Sequence, residues 1–334
     1  MENFKIYNSK TVEKLISTRD GELKFGERLI FTESFEKLKD TPGKYVLFGI
    51  PEDIGVRANN GKKGTANAWN VALRSLLNVQ ANKYTNAENL ILLGEVDCQA
   101  FLNRAENLGE EDPHYLDKLG DLVTEIDKVV ADVVGKIVSI GKIPIVIGGG
   151  HNNAYGNIKG TSLSLKKPIN ILNIDAHTDL RRLEHRHSGN GFTYARKEGY
   201  MGKYRVFGVH QNYTPAYIFE QMDAAPNDQY RLFEHLIRKS SQQILAAFQE
   251  ELDFSSQEEF GLELDVDAIR DFPSSAQTPS GFPFNMVRNF VALASEEDNL
   301  KYIHICEAAP TETSEAKVGK ALSYLITDIL STGA

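Results

Sequence analysis

Cysteine is scarce in this chain: Cys98 and Cys306 are the only two among 334 residues. Two thiols exclude a disulfide framework and a thiolate metal site, suit a reducing compartment, and are expected to be passive packing residues. Runs of Lys and Arg are also missing and the formal net charge is −9, so neither nucleic acid nor an anionic membrane is expected as the main partner. No stretch approaches the roughly 18 uninterrupted apolar residues of a membrane span. The opening "MENFKIYNSK" has no apolar secretory core, which makes the cytoplasm the expected location. No Pro/Gly/Ser-rich linker, repeat or low-complexity tract divides the chain. One domain over residues 1–334 is the simplest organisation, and 41% hydrophobic residues are enough to fill its core.

What the chain does contain is a series of short apolar runs rich in Val and Ile, at 44–50, 89–96, 143–150, 169–176, 204–210, 260–266 and 301–308. Near-continuous apolarity marks strands covered on both faces, as in a parallel sheet. Between them, apolar residues recur at helical spacing, for example Ile126, Val129, Val130, Val133, Val134 and Ile137, or Val318, Leu322, Leu325, Ile326 and Ile329. The alternation predicts a three-layer α/β/α fold with a central parallel sheet. Residues 1–40 and the polar stretch 105–117 fit this pattern least and are expected to be peripheral or to lie between subunits.

Ligands in open α/β sheets bind just beyond the carboxyl ends of the strands, and four of these ends carry reactive side chains. The run at 143–150 leads into "GGGHNN" with His151, and the run at 169–176 into "DAHTD" with Asp175, His177 and Asp179. The run at 260–266 leads into "DVD" with Asp265 and Asp267, and the last one ends at Glu307. Residues two apart in extended chain point the same way, so Asp175, His177 and Asp179 can converge, as can Asp265 and Asp267. Four carboxylates in one place repel each other unless cations lie between them. With two histidines they form an oxygen-rich set suited to Mn²⁺, with Zn²⁺, Fe²⁺ and Co²⁺ also open. About four negative charges match two divalent ions, and a pair of ions roughly 3.5–4 Å apart makes hydrolysis the leading chemistry. Gly148, Gly149 and Gly150 permit close backbone approach but precede no G-K-S/T, which argues against a phosphate-binding loop. Taken singly, a histidine after glycines is more often a loop residue and a D-x-D more often a solvated turn or helix cap; three such motifs at three strand ends favour the metal.

These residues resemble the ureohydrolase family, which comprises arginases, agmatinases and formimidoylglutamases and shares Gly-Gly-x-His, Asp-Ala-His-x-Asp and Asp-x-Asp motifs. "GGGH", "DAHTD" and "DVD" stand here in the family order. The resemblance implies an arginase-like α/β/α fold and two Mn²⁺ per chain, with His151, Asp175, His177, Asp179, Asp265 and Asp267 as ligands. It implies Glu307 as the partner of the substrate's cationic nitrogens, and the mechanism expected on that basis has Asp179 orient the attacking hydroxide. A homo-oligomer is implied as well. Within the family the chain is most similar to formimidoylglutamases: "PEDIGVRANNGKKGT", "DLR" and "SGNGF" resemble that branch's D-E-G-V-R-x-N-x-G-R-x-G, D-L-R and S-G-T-P-F stretches.

That similarity implies hydrolysis of formimidoylglutamate to glutamate and formamide, a step of histidine catabolism. Arg57, Asn59, Arg181, Ser188, Gly189 and Asn190 are the corresponding substrate-binding candidates. Arg182, Arg186, His185 and His187 add positive charge nearby, more than a decarboxylated substrate needs. Three positions depart from the formimidoylglutamase pattern: Ile54 replaces an acidic residue, "HNN" replaces His-Glu, and "EAAP" replaces E-x-N-P. Phe192 stands near the place where arginases carry a proton-transfer histidine, with His185, His187 and His210 as possible substitutes. Arginase, agmatinase and other guanidino-acid hydrolase activities stay open, as does a non-catalytic metal-binding relative. A deacetylase of similar fold is disfavoured, because no His-His dipeptide occurs.

Overall fold

The computed structural model describes residues 3–331. Nine strands are formed among them: β1 (Phe4–Ile6), β2 (Tyr45–Gly49), β3 (Leu90–Val96), β4 (Ile143–Ile147), β5 (Ile169–Ile174), β6 (Met201–Val209), β7 (Asp228–Leu232), β8 (Phe260–Asp265) and β9 (Leu300–Cys306). They join in one sheet in the order β1-β3-β2-β4-β9-β8-β5-β6-β7. Every neighbouring pair from β3 to β7 is parallel.

The sheet is mixed rather than purely parallel, because β1 runs antiparallel to β3 at the edge, with Phe4 opposite Val96. Its three residues are too few for a hydrophobic pattern, and neither β1 nor the other edge strand, β7, stood out in the sequence. In β7 the sequence "DQYRL" is mostly polar, as suits an edge that must not recruit another chain. Residues 7–40 run alongside the sheet: Tyr7 donates to Glu95 at 2.7 Å, and Val12 and Phe25 are buried in the core.

Burial on both faces explains the apolar runs. In β2, Tyr45 and Leu47 face one core cluster while Val46 and Phe48 face another. Helices Ala68–Leu77, Ser241–Ser255, Phe284–Ser295 and Glu315–Ser331 cover the first face. Helices Tyr115–Ser139 and Ala154–Leu165 cover the second. Those two helices touch backbone to backbone: a Cβ on Gly160 would lie 2.3 Å from the Ala131 carbonyl oxygen. Phe207, Phe248, Phe282 and Phe290 form one ring cluster with centroid separations of 4.4–5.5 Å, and truncating one of them would cost about 3–5 kcal/mol. No helix among the described residues is long and apolar enough to cross a membrane.

The strand order has one consequence for chemistry. β4, β9, β8 and β5 are consecutive in the sheet, so the ends that carry His151, Glu307, Asp265 and Asp175 lie side by side.

Candidate metal centre and substrate cleft

The aspartates converge as expected, but the backbone reason differs. β5 stops at Ile174 and β8 at Asp265, so residues 175–179 and 266–267 are not extended strand. Instead Asp175 Oδ1 accepts a hydrogen bond from His177 N, and Asp265 Oδ1 one from Asp267 N, each at 2.7 Å. Each carboxylate closes a turn on the amide two residues ahead, which leaves its second oxygen aimed at the centre. Asp179 and Glu307 adopt left-handed backbone, with φ of +47° and +64°, a conformation that costs a non-glycine residue on the order of 1 kcal/mol. Both strained residues line the same cleft.

All six expected ligands meet. His151 Nδ1 lies 2.9 Å from Asp179 Oδ2, 3.2 Å from Asp175 Oδ2 and 3.3 Å from Asp265 Oδ2, yet neither ring nitrogen is aligned for a hydrogen bond. One donor atom from each of these four residues lies within 4.8 Å of the others. On the other side of Asp175, His177 Nδ1 is 3.5 Å from Asp175 Oδ1 and 3.8 Å from Asp267 Oδ2. Two donor groups thus share Asp175. Oxygen and imidazole donors that crowd together without mutual hydrogen bonds fit divalent cations of the manganese kind.

Electrostatics agree. Burial, then the neighbouring Asp267 and Asp175 charges, push the Asp265 carboxyl well above its usual range. Burial opposes the charge on His151 and His177, but their neighbours outweigh it: Cys306 and then Asp175, Asp179 and Asp265 push His151 well above its usual range, and Asp175, Asp267 and Asp179 push His177 up to about 10. Metal-free, the site borrows protons to offset its negative charge.

The glycine loop holds His151 in place through a residue that the motifs did not reveal. Glu52, fully buried, accepts from Gly150 N (3.0 Å), Asn153 Nδ2 (2.7 Å), Ile54 N (2.7 Å) and Gly55 N (3.1 Å). Gly149 has φ +72°, and a Cβ there would lie 2.8 Å from Glu52 Oε1 and 2.3 Å from Asn153 Nδ2. Asn152 and Asn153 of "HNN" therefore serve the loop rather than the cleft. Glu307 Oε1 accepts from His151 N at 2.6 Å, while Glu307 Oε2 is buried without a partner. Burial and then the Asp267 charge push the Glu307 carboxyl up to about 8.

Of the substrate candidates, Asn59, Arg181 and Ser188 line the cleft together with Tyr213, and Asn59 Nδ2 donates to Ser188 Oγ at 3.1 Å. Arg57 turns elsewhere: it bonds Glu106 Oε1 (2.8 Å), the Ala105 carbonyl and Tyr115 OH. Gly189 lies behind Arg181, accepting from Arg181 N at 2.9 Å. Asn190 is fully buried, and its Oδ1 accepts from Arg186 Nη1 and His187 N. Arg186 is buried against Asp127, whereas Arg182 lies over the Tyr217 ring at the surface. His185 and His187 contact the Ala58 carbonyl and Glu184. His210 is stacked between Tyr213 and Phe233, and Phe192 packs its ring edge-on against His151. Tyr213, missed in the sequence, also stacks on His177 and bonds Thr278; an aromatic in a loop gives no signal of its own.

Comparison with known proteins carries the same motifs further. The chain is 30% identical over 199 residues to the formimidoylglutamase of Hahella chejuensis, an alignment that covers 55% of this chain and about half, 53%, of that protein. It is 24% identical over 284 residues to the formimidoylglutamase of Macrococcus caseolyticus, covering 84% and 82% of the two chains. In fold it matches Trypanosoma cruzi formiminoglutamase solved with Mn²⁺, with a TM-score of 0.72 at 16% identity over 93% of this chain and 99% of that one. With a sheet of this order, the histidine, aspartate and glutamate side chains at four adjacent strand ends, and a match to the Arginase family over residues 43–331, the chain belongs to the arginase family.

Proposed function

We propose that this arginase-family hydrolase cleaves a C–N bond of formimidoylglutamate, giving glutamate and formamide, at a centre of two Mn²⁺ held by His151, Asp175, His177, Asp179, Asp265 and Asp267. Cations bound there supply Lewis acidity and a nucleophile from water at neutral pH. The observation that carries the substrate class is the polarity of the cleft. Its floor presents Glu307 Oε2, buried and without a partner, beside Asp179, Asp265 and Asp267, and its rim presents Arg181 with Asn59 and Ser188. An acidic floor suits a cationic formimino group, and a guanidinium rim suits the carboxylates at the other end of the same molecule.

In this reading the cations and the cationic substrate offset the burial and the Asp267 charge that raise the Glu307 carboxyl, and the Glu307 carboxylate pairs with the formimino nitrogens and fixes the carbon at the centre. The Asp179 carboxylate accepts a hydrogen bond from the attacking water and passes its proton to the departing glutamate nitrogen. Water adds to the formimino carbon, the bond from that carbon to the glutamate nitrogen breaks, and formamide leaves. Neither Phe192 nor the stacked His210 is needed as a shuttle. Arg181, Asn59 and Ser188 hold the carboxylates, with Gly189 and Asn190 shaping the loop behind them. The proposal includes a homo-oligomer acting in the cytoplasm, which light scattering and cell fractionation check.

The test is a product assay on Mn²⁺-loaded protein with formimidoylglutamate, arginine, agmatine and guanidinobutyrate. Formamide from the first substrate, with little turnover of the rest, supports the proposal. Urea from arginine or agmatine moves the assignment within the family, and two bound ions with no turnover of any substrate marks a non-catalytic relative.

A further inference from the structure

Beneath the candidate centre is a second polar layer with no contact to the cleft. Glu263 on β8 and Tyr302 and His304 on β9 are all fully buried, and strand register sets Glu263 opposite His304. Glu263 Oε1 accepts from Tyr302 OH at 2.7 Å, and Oε2 lies 2.6 Å from His304 Nδ1. His304 Nε2 in turn lies 3.4 Å from the Gly148 carbonyl, at the head of the glycine loop. His151 Nε2 lies 3.5 Å from the same Oε2, within ion-pair distance though not aligned as a hydrogen bond. It belongs to the same ring whose Nδ1 faces Asp175, Asp179 and Asp265.

An ionised glutamate inside a parallel strand is expensive, since its desolvation costs several kcal/mol unless its oxygens are bonded. Neither the substrate cleft nor the six ligand positions account for it. The chemistry of imidazole does. A neutral ring carries one N–H and one lone pair, and an acceptor-only carboxylate beside Nε2 selects the form with the proton there. That choice leaves the lone pair on Nδ1, where the carboxylates converge. We propose that Glu263, itself held by Tyr302 and His304, is a positioning residue that fixes His151 in its Nε2–H form and aims Nδ1 at the ion shared with Asp175, Asp179 and Asp265. The inference rests on the binuclear centre proposed above.

The same neighbourhood admits a different occupant. His151, Glu263, His304 and Cys306 offer donor atoms within 4.8 Å of one another, a set that could hold a third cation. The positioning role is favoured because a cation would have to displace the bonds that tie both Glu263 oxygens to Tyr302 and His304, whereas His151 Nε2 lies beside Oε2 with those bonds in place.

Glu263→Gln discriminates the two, since it keeps the volume but not the hydrogen-bond sense. If its carbonyl serves Tyr302, its NH₂ faces His151 and favours a proton on Nδ1; if flipped, it leaves the Tyr302 hydroxyl facing a donor. Mn²⁺ is titrated into metal-free wild type and variant by calorimetry, with circular dichroism and melting of the metal-free forms as controls for folding. The expected result is two ions in wild type, with one weakened about 10–100-fold in the variant and the other changed less than about threefold. Tyr302→Phe, which removes a single hydrogen bond, should weaken the same ion by a smaller factor and serves if Glu263→Gln does not fold. Two ions bound by Glu263→Gln within about twofold of wild type would overturn the inference but leave the centre standing, given the roughly tenfold minimum expected. A third ion in wild type, lost in Glu263→Gln, would overturn it in favour of a ligand role. No Mn²⁺ bound by wild type would overturn the centre and this inference together.

Discussion

Arg186 in the loop after β5 meets Asp127 on the helix Tyr115–Ser139, with Nε 2.9 Å from Oδ2 and both side chains buried. The same guanidinium donates to the Asn152 carbonyl at 3.0 Å and to Asn190 Oδ1, and lies 5.0 Å from the ring centroids of Tyr155 and Tyr194. One side chain therefore ties the cleft loop and the residue after His151 to the helical layer. Removing either charge leaves the other buried and unpaired. Asp127→Ala and Arg186→Met should each lower stability by about 3–5 kcal/mol, and the double variant by less than the sum; urea denaturation measures all three.

Two buried groups give stability opposite pH dependences. Burial, partly offset by Arg186, raises the Asp127 carboxyl from 3.8 to about 6. A raised folded-state value means that its contribution is fully present below the unfolded value and is lost as pH rises through 6. Burial lowers His187 from 6.5 to about 4, so its contribution is present above pH 6.5 and is lost as pH falls through 4. Each spans on the order of 2–3 kcal/mol. Between pH 4 and 6.5, Asp127→Asn should lose stability on acidification more steeply than wild type, and His187→Gln less steeply, as followed by denaturation at fixed pH steps.

The crowded aspartates should make the metal-free protein fragile. Chelation with EDTA is expected to lower the melting temperature, and Mn²⁺ at a hundred times its dissociation constant to restore about 2.7 kcal/mol per site. Asp265→Asn keeps the acceptor for Asp267 N but removes a carboxyl whose ionised form burial and its acidic neighbours disfavour. It should raise the metal-free stability by about 1–2 kcal/mol while abolishing most of the response to Mn²⁺. Melting curves with and without Mn²⁺ check both.

Arg57 and Arg181 should separate stability from substrate binding. Arg181→Ala should raise KM for formimidoylglutamate by about 10–100-fold with kcat little changed, since it removes a charge-assisted contact common to ground and transition states. Arg57→Met should leave KM near wild type and lower stability, because its guanidinium bonds Glu106, Ala105 and Tyr115. Steady-state kinetics beside thermal melts distinguish the two patterns.

The strands with both faces buried were legible in the sequence because continuous burial leaves a continuous apolar run; β1 and β7, at the edges, leave none. The convergence of His151, Asp175, His177, Asp179, Asp265 and Asp267 was legible because each lies at or just beyond a strand end. The turns that bring them together were not, since a carboxylate bonded to the amide two residues ahead looks like an extended D-x-D. Motif resemblance pointed to Arg57 as readily as to Arg181, and only packing separates a guanidinium that faces Glu106 from one at the cleft. Glu52, Glu263 and Asp127 gave no signal, because a buried acid is recognised by partners far away in the chain: Gly150 for Glu52, His304 for Glu263 and Arg186 for Asp127.

The most direct measurement is the Mn²⁺ content of the purified chain after loading and exhaustive removal of free ion, read by elemental analysis alongside formamide release from formimidoylglutamate. Two ions per chain with formamide release that disappears on chelation and returns with Mn²⁺ is the expected result. A chain that holds no Mn²⁺, or that releases formamide equally well in EDTA with all metal removed, would contradict it.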